Sequence, residues 1–256
     1  TGIAKDDIDY YPPPESQGGW RRADEPDAAR ARAGVDLARL AAARAWNVQF
    51  GVPTSLVIIR RGYLVAEWHE HGADARTCYN IHSCSKSFTG TAYGILFEMA
   101  RRGELPGDIG LDTPAYAHIP EGYPLSDGRK AQITLRHLLS MSSNIPGEDA
   151  GLYGVQTAAD VNPFDAALGH QPLNQTRRGP AGDLWAGKLT GAPGTRWEYS
   201  DPGFAHLALA FWHITGQELA AFMQARVIDP IGIERLTWDT MGLDDGRTGV
   251  HTMPFS

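Results

Sequence analysis

Apolar and polar positions along the 256-residue chain sort into one strand pair and several helices. The clearest strand signal is Ser55–Arg60, the pair Arg61-Gly62, then Tyr63–Trp68: two β-rich runs around a glycine-containing turn, predicting an antiparallel hairpin. Upstream, Val35, Leu37, Leu40 and Trp46 interleave with alanines and arginines, predicting a helix that ends near Asn47. After Thr77 the period turns helical, with Phe88, Ala92, Ile95, Leu96 and Met99 on one face and Gly103 as a stop. Ile133–Leu139 reads as a second amphipathic helix, Phe204, Leu207, Ala208, Phe211 and Ile214 as a third opened by Asp201-Pro202, and Gln217–Ile228 as a fourth. Tyr10-Tyr11-Pro12-Pro13-Pro14 followed by Gly18-Gly19 marks residues 1–33 as an N-terminal extension. Between Asn144 and Gly194 the chain is rich in Gly, Pro, Asn and Asp; so long an irregular stretch shapes a binding surface or is partly mobile.

A two-stranded hairpin is marginal in water, and both of its edges want partners. The sequence after Trp238 is polar and offers no closing element, so the sheet reads as unfinished within this chain. Composition narrows the class. Apolar residues make up 42% and charged residues 21%, which excludes disordered, collagen-like and coiled-coil chains. The net charge of −7 argues against a nucleic-acid partner or an anionic membrane surface. No stretch approaches the length of a membrane span. Two cysteines exclude a disulfide-stapled scaffold. Cys84 reads as a small buried helix residue rather than as a disulfide partner of Cys78. The chain starts at Thr1; a removed leader or trimming explains that equally, and a periplasmic or secreted location is favoured over the cytoplasm.

Familiar signatures are missing: no G-x-S-x-G, no G-x-G-x-x-G, no H-E-x-x-H. Gly182, Gly187 and Lys188 echo a phosphate loop, but Leu189 stands where a metal-binding hydroxyl is needed. His69-Glu70-His71 offers two ligands and no obvious third, so a solvated strand end is expected instead of a metal site. What remains is Ser83-Cys84-Ser85-Lys86 at the start of the helix after the hairpin. At i and i+3 the Lys86 amine can reach the Ser83 hydroxyl, which is a poor nucleophile until a base takes its proton. A helix N-terminus adds a positive dipole end for a developing oxyanion. A serine cap with a first-turn lysine looks the same, so the tetrapeptide decides little alone.

Its surroundings decide more. Gly51-Val52-Pro53 before the hairpin, Tyr79–Phe88 around the serine, Gly103-Glu104-Leu105 with Leu111-Asp112-Thr113-Pro114, Ile133–Asn144 and Pro193–Asp201 together resemble the serine β-lactamase and penicillin-recognising superfamily. Within it, the class C β-lactamase-like esterases and the D-aminopeptidase relatives are the most similar in style. The likeness covers about residues 34–240, with Asn144 where a glycine is usual.

The resemblance implies that Ser83 is the acylated nucleophile, Lys86 its activating partner, and Tyr199 the proton-shuttling tyrosine of a Y-x-N motif, although an aromatic packed beside Trp197 fits too. Asp201 replaces the usual Asn; an ionised Asp only accepts hydrogen bonds, so substrate contact there is altered. Close to Lys86 it would hold the amine protonated and move the base role toward Tyr199. As a plain helix cap before Pro202 it needs no such role. The family's third motif is not found; His251-Thr252-Met253 lies too near Tyr199 to serve.

The expected fold is α+β, an α/β sandwich: an antiparallel sheet flanked by helices plus a mostly helical subdomain, with the C-terminal strands missing from this chain. Residues 34–88 and 195–256 would build the α/β part and 89–194 the helical and irregular part. The expected activity is an acyl-enzyme serine hydrolase acting on a small ester or amide without metal or cofactor, completed by a C-terminal fragment of the same precursor. The alternatives are a non-catalytic penicillin-binding or sensor module and an inactive homologue.

Overall fold

At the hairpin turn both central residues, Arg61 (φ 54°) and Gly62 (φ 73°), take left-handed backbone, the conformation a type I′ connection demands. In this computed structural model, which describes residues 10–147 and 188–237, the turn joins β1 (Thr54–Arg60) to β2 (Tyr63–Glu70). The strands run antiparallel from Thr54↔Glu70 to Arg60↔Tyr63, with a register shift at Ile58/Ile59. The partner of Ile58 is Ala66 and that of Ile59 is Leu64, so Val65 is the extra residue of a bulge. Strict alternation is broken there, and Leu64, Val65 and Ala66 are buried in succession.

The described chain forms two compact units. The first holds residues up to Tyr79 together with Pro230–Glu234. Its N-terminal segment lies along β2: Leu64 exchanges backbone hydrogen bonds of 2.9 Å with Arg21 and Ala23, a short parallel bridge that partners one hairpin edge. Helix α1 (Leu37–Val48) is capped by Asp36, which accepts from the Ala38 and Arg39 amides. Leu37 and Leu40 lean on a small core of Ala29, Ala33 and Val65.

The second unit holds the other described residues from Asn80 on. It is built around α2 (Lys86–Arg101), α3 (Leu135–Leu139), α4 (Asp201–Thr215) and α5 (Leu219–Met223), the last continuing as a π turn through Ile228. Eleven consecutive residues of α4, Asp201 to Phe211, are buried, so it is a core helix enclosed on every side instead of a surface helix with one stripe. Tyr93 of α2 donates to the Leu207 carbonyl at 2.8 Å, and Phe211 stacks edge-on with Tyr93 and Phe222. Ile133 and Thr134, expected in the helix, instead pair in extended form with Thr113–Ala115; the helix starts at Leu135 with Thr134 as its cap. The mixture of a small antiparallel sheet with helices is the α+β class expected. Residues 148–187 of the irregular stretch, with Gly182 and Gly187, lie outside the described residues, as does His251-Thr252-Met253.

Candidate active site

Ser83 sits in a 3₁₀ turn, His82–Ser85, which runs directly into α2 at Lys86. In a 3₁₀ turn side chains three apart eclipse, so this is a tighter pairing of i and i+3 than an α-helix gives. Lys86 Nζ accordingly donates to Ser83 Oγ at 3.0 Å. The turn is entered through His82 in left-handed backbone (φ 44°), held by the Asn80 side chain accepting its amide at 2.8 Å. Ser85 takes the inward position and is buried, which leaves Cys84 facing out. Cys84 is therefore exposed, contrary to its expected burial, because the tight turn spends its inward position on the serine; Cys78 and Cys84 are both free thiols.

The Tyr199 hydroxyl donates to Ser83 Oγ at 2.6 Å from the segment leading into α4. Its ring also lies beside Trp197, at 6.4 Å between centroids, so packing and contact with Ser83 coexist. Ser83 Oγ thus accepts from an amine and a phenol together.

Asp201 is the first residue of α4, and the cap is Ser200, whose hydroxyl accepts from the Gly203 amide at 3.0 Å. Released from capping, the Asp201 carboxylate pairs with Lys86 at 2.5 Å. Lys86 Nζ also lies 5.1 Å from the Tyr199 ring centre and 5.8 Å from that of Phe204. Burial is the largest single influence on Lys86 and pulls its pKa down. The Asp201 carboxylate and the Tyr199 phenol together outweigh it, so the amine is held above the ordinary lysine value. All four predicted residues, Ser83, Lys86, Tyr199 and Asp201, therefore meet at one place in the second unit.

Sequence reasoning passed over the residues that hold this arrangement. Glu198 is buried and its amide donates to the Met141 carbonyl at 2.9 Å. Gly147 has no room for a side chain, since a Cβ there would lie 1.7 Å from the Tyr199 carbonyl oxygen. Asn144 has φ 59°, a left-handed position that asparagine tolerates and where the family's glycine costs nothing. The one available signal for Glu198 was alternation: in an extended run Trp197 and Tyr199 face away from it.

The two histidines of the strand end do not converge on an ion. His69 Nδ1 lies 2.8 Å from Ser55 Oγ, while His71 Nε2 donates to the Val48 carbonyl at 2.7 Å. Among the described residues no three His, Cys, Asp or Glu side chains group as a metal site.

With that geometry in place, the comparisons are specific. The sequence model of the family described as Beta-lactamase matches residues 50–252, which include all four of these residues. The chain belongs to that family. Among curated proteins it is 26% identical over 167 residues to the protein flp of Staphylococcus aureus (strain MW2), a match covering 65% of this chain and 29% of that protein. The chain thus spans less than a third of the length of the curated relatives it matches. Among solved structures, a Bacteroides dorei protein with a provisional beta-lactamase assignment superposes with a TM-score of 0.57 at 16% identity, over 86% of this chain and 59% of that one. A Bacillus anthracis protein provisionally assigned as a 6-aminohexanoate-dimer hydrolase gives 0.51 at 22% identity, over 75% and 47%. Both likenesses are of fold.

Proposed function

We propose that the protein is a serine hydrolase that cleaves ester or amide bonds through an acyl-enzyme on Ser83. The observation that carries this reading is the double contact on one hydroxyl, Lys86 Nζ at 3.0 Å and Tyr199 OH at 2.6 Å. Membership of the beta-lactamase family supports it, and the hydrolase assignment of the similarly folded Bacillus anthracis protein agrees with it.

The roles follow from the proton inventory. Lys86, kept as an ammonium by Asp201, donates to Ser83 and has no lone pair to receive a proton. The Tyr199 phenol, which donates to Ser83 at rest, first gives its proton to solvent. The phenolate beside the Lys86 ammonium then takes the Ser83 proton as Oγ bonds to the acyl carbon, and hands it to the departing alkoxide or amine as that bond breaks. Water then attacks the acyl carbon, Tyr199 takes its proton and returns it to Ser83 as the acid leaves. Lys86 stabilises the negative charge that moves through these steps.

Asp201 stands where the similar motif carries an amide, so no donor at this position greets the acylamino carbonyl of a penicillin or peptide. Simple esters and unusual amides are the expected substrates. The same ion pair favours a second reading: with Lys86 committed as a cation, release of the acyl group leans on Tyr199 alone, and a module acylated once without turnover results. Mass spectrometry of the purified protein after a fluorophosphonate probe tests the first reading; the adduct is expected on Ser83, and adduct elsewhere or none refutes it. Steady-state rates on p-nitrophenyl esters should exceed those on a chromogenic cephalosporin, whereas a stoichiometric burst without turnover selects the second reading.

A further inference from the structure

Burial alternates along the segment that delivers the tyrosine: Trp197 is exposed, Glu198 buried, Ser200 buried, with Tyr199 between them reaching Ser83. Glu198 is the unexpected member, a carboxylate only 5% exposed. Its Oε2 accepts from Arg196 Nη2 at 2.5 Å and from the Thr190 hydroxyl at 2.8 Å, and its Oε1 accepts from the Gly147 amide at 3.4 Å. Its own amide donates to Met141 O at 2.9 Å. Thr190 in turn is tied to the Asn144 carbonyl through its amide at 2.9 Å. Gly147, Thr190 and Arg196 thus converge on one side chain, Met141 holds the backbone of the same residue, and its next neighbour is Tyr199.

Burying a carboxylate costs desolvation that an apolar side chain of equal size avoids. What the carboxylate adds is direction, because hydrogen bonds fix angles as well as distances. The contact of Gly147 with the Tyr199 carbonyl closes the other side, so the tyrosine backbone is held from both directions. We infer that Glu198 is a positioning residue for Tyr199: it ties the tyrosine's segment to the Met141–Gly147 loop and to Thr190, and so sets the distance from the phenol to Ser83. This role rests on the reading of Tyr199 as the proton carrier.

A double-mutant cycle tests it, read as the second-order rate at which a fluorophosphonate labels Ser83, with melting temperature measured alongside. Glu198→Gln keeps the volume and one acceptor oxygen but loses the second. It is expected to slow labelling by on the order of 100-fold at temperatures far below melting. In the Tyr199→Phe background the same change should matter less than about twofold. Equal fold-losses in both backgrounds overturn the positioning role and leave the tyrosine reading standing. A Tyr199→Phe protein that labels as fast as wild type overturns both. If Glu198→Gln does not fold, Thr190→Val removes one of the bonds to Oε2 and enters the cycle in its place, with the same two outcomes.

Discussion

Replacing Lys130 by methionine should stabilise the protein at neutral pH and abolish a stability gain that wild type shows on the alkaline side. Lys130 is 0% exposed, on a 3₁₀ turn (Gly128–Gln132), with its amine donating to Ser126 Oγ at 2.8 Å and 5.7 Å from the Tyr116 ring centre. Burial pulls its pKa down from 10.5 to about 8, with Asp127 opposing and Lys188 reinforcing the fall. That difference corresponds to about 3 kcal/mol of destabilisation while the amine is protonated in both states. Below about pH 8 the full cost is present; between about 8 and 10.5 the folded protein has shed the proton and the unfolded chain still binds it, so stability rises with pH. From pH 7 to 9.5 the gain is about 2 kcal/mol. Buried Tyr93 and Tyr116, both pushed above the usual tyrosine value, give the opposite slope once the unfolded tyrosines ionise, so the comparison belongs below pH 10. Methionine keeps the apolar stem and forfeits the Ser126 bond, about 1 kcal/mol, leaving a net gain of about 2 kcal/mol at pH 7. Urea unfolding of both proteins from pH 7 to 9.5 measures this. Parallel pH dependences in wild type and Lys130→Met would refute the reasoning.

Other substitutions probe the site. Asp201→Asn removes the carboxylate that helps outweigh burial at Lys86, so the lysine pKa falls and the alkaline limb of Ser83 labelling, where the ammonium is lost, moves to lower pH, at a stability cost of about 2 kcal/mol; an unmoved limb contradicts this. Gly147→Ala puts a carbon 1.7 Å from the Tyr199 carbonyl oxygen, and the backbone must yield. Labelling should slow by roughly 100-fold and stability fall by about 2 kcal/mol, with wild-type kinetics as the contrary result. Ser200→Ala deletes the α4 cap and the donor to the Pro146 carbonyl, so urea unfolding should register a loss of about 1–2 kcal/mol, and no measurable change would count against the cap.

Local rules made much of this molecule readable. The Arg61-Gly62 turn, the stop of α2 before Gly103 and the long helix after Pro202 each follow from a few neighbouring residues, and the structure has all three. The spacing of Ser83 and Lys86 was legible as well, although as an α-helical pairing; that the turn is 3₁₀, with Ser85 inside and Cys84 outside, depends on what α2 packs against. The cap of α4 could be assigned to Ser200 or Asp201 from sequence, and only the presence of Lys86, far away in the chain, explains why the serine takes it. Glu198 was illegible for the same reason. Its partners at Gly147, Thr190 and Arg196 are brought together by folding, and alternation puts its side chain opposite Trp197 and Tyr199 without saying that the face it occupies is buried.

Because α4 is enclosed by the core along its first eleven residues, the carboxylate at its beginning shares the fate of that core. Opening the Lys86–Asp201 pair by local fraying would expose apolar surface that only whole-unit unfolding can otherwise reach. Amide protons of α4 should therefore exchange among the slowest in the protein right up to the reacting groups. Heat should extinguish chemistry and cooperative structure in a single transition, with no window in which a folded molecule has lost its reactive serine.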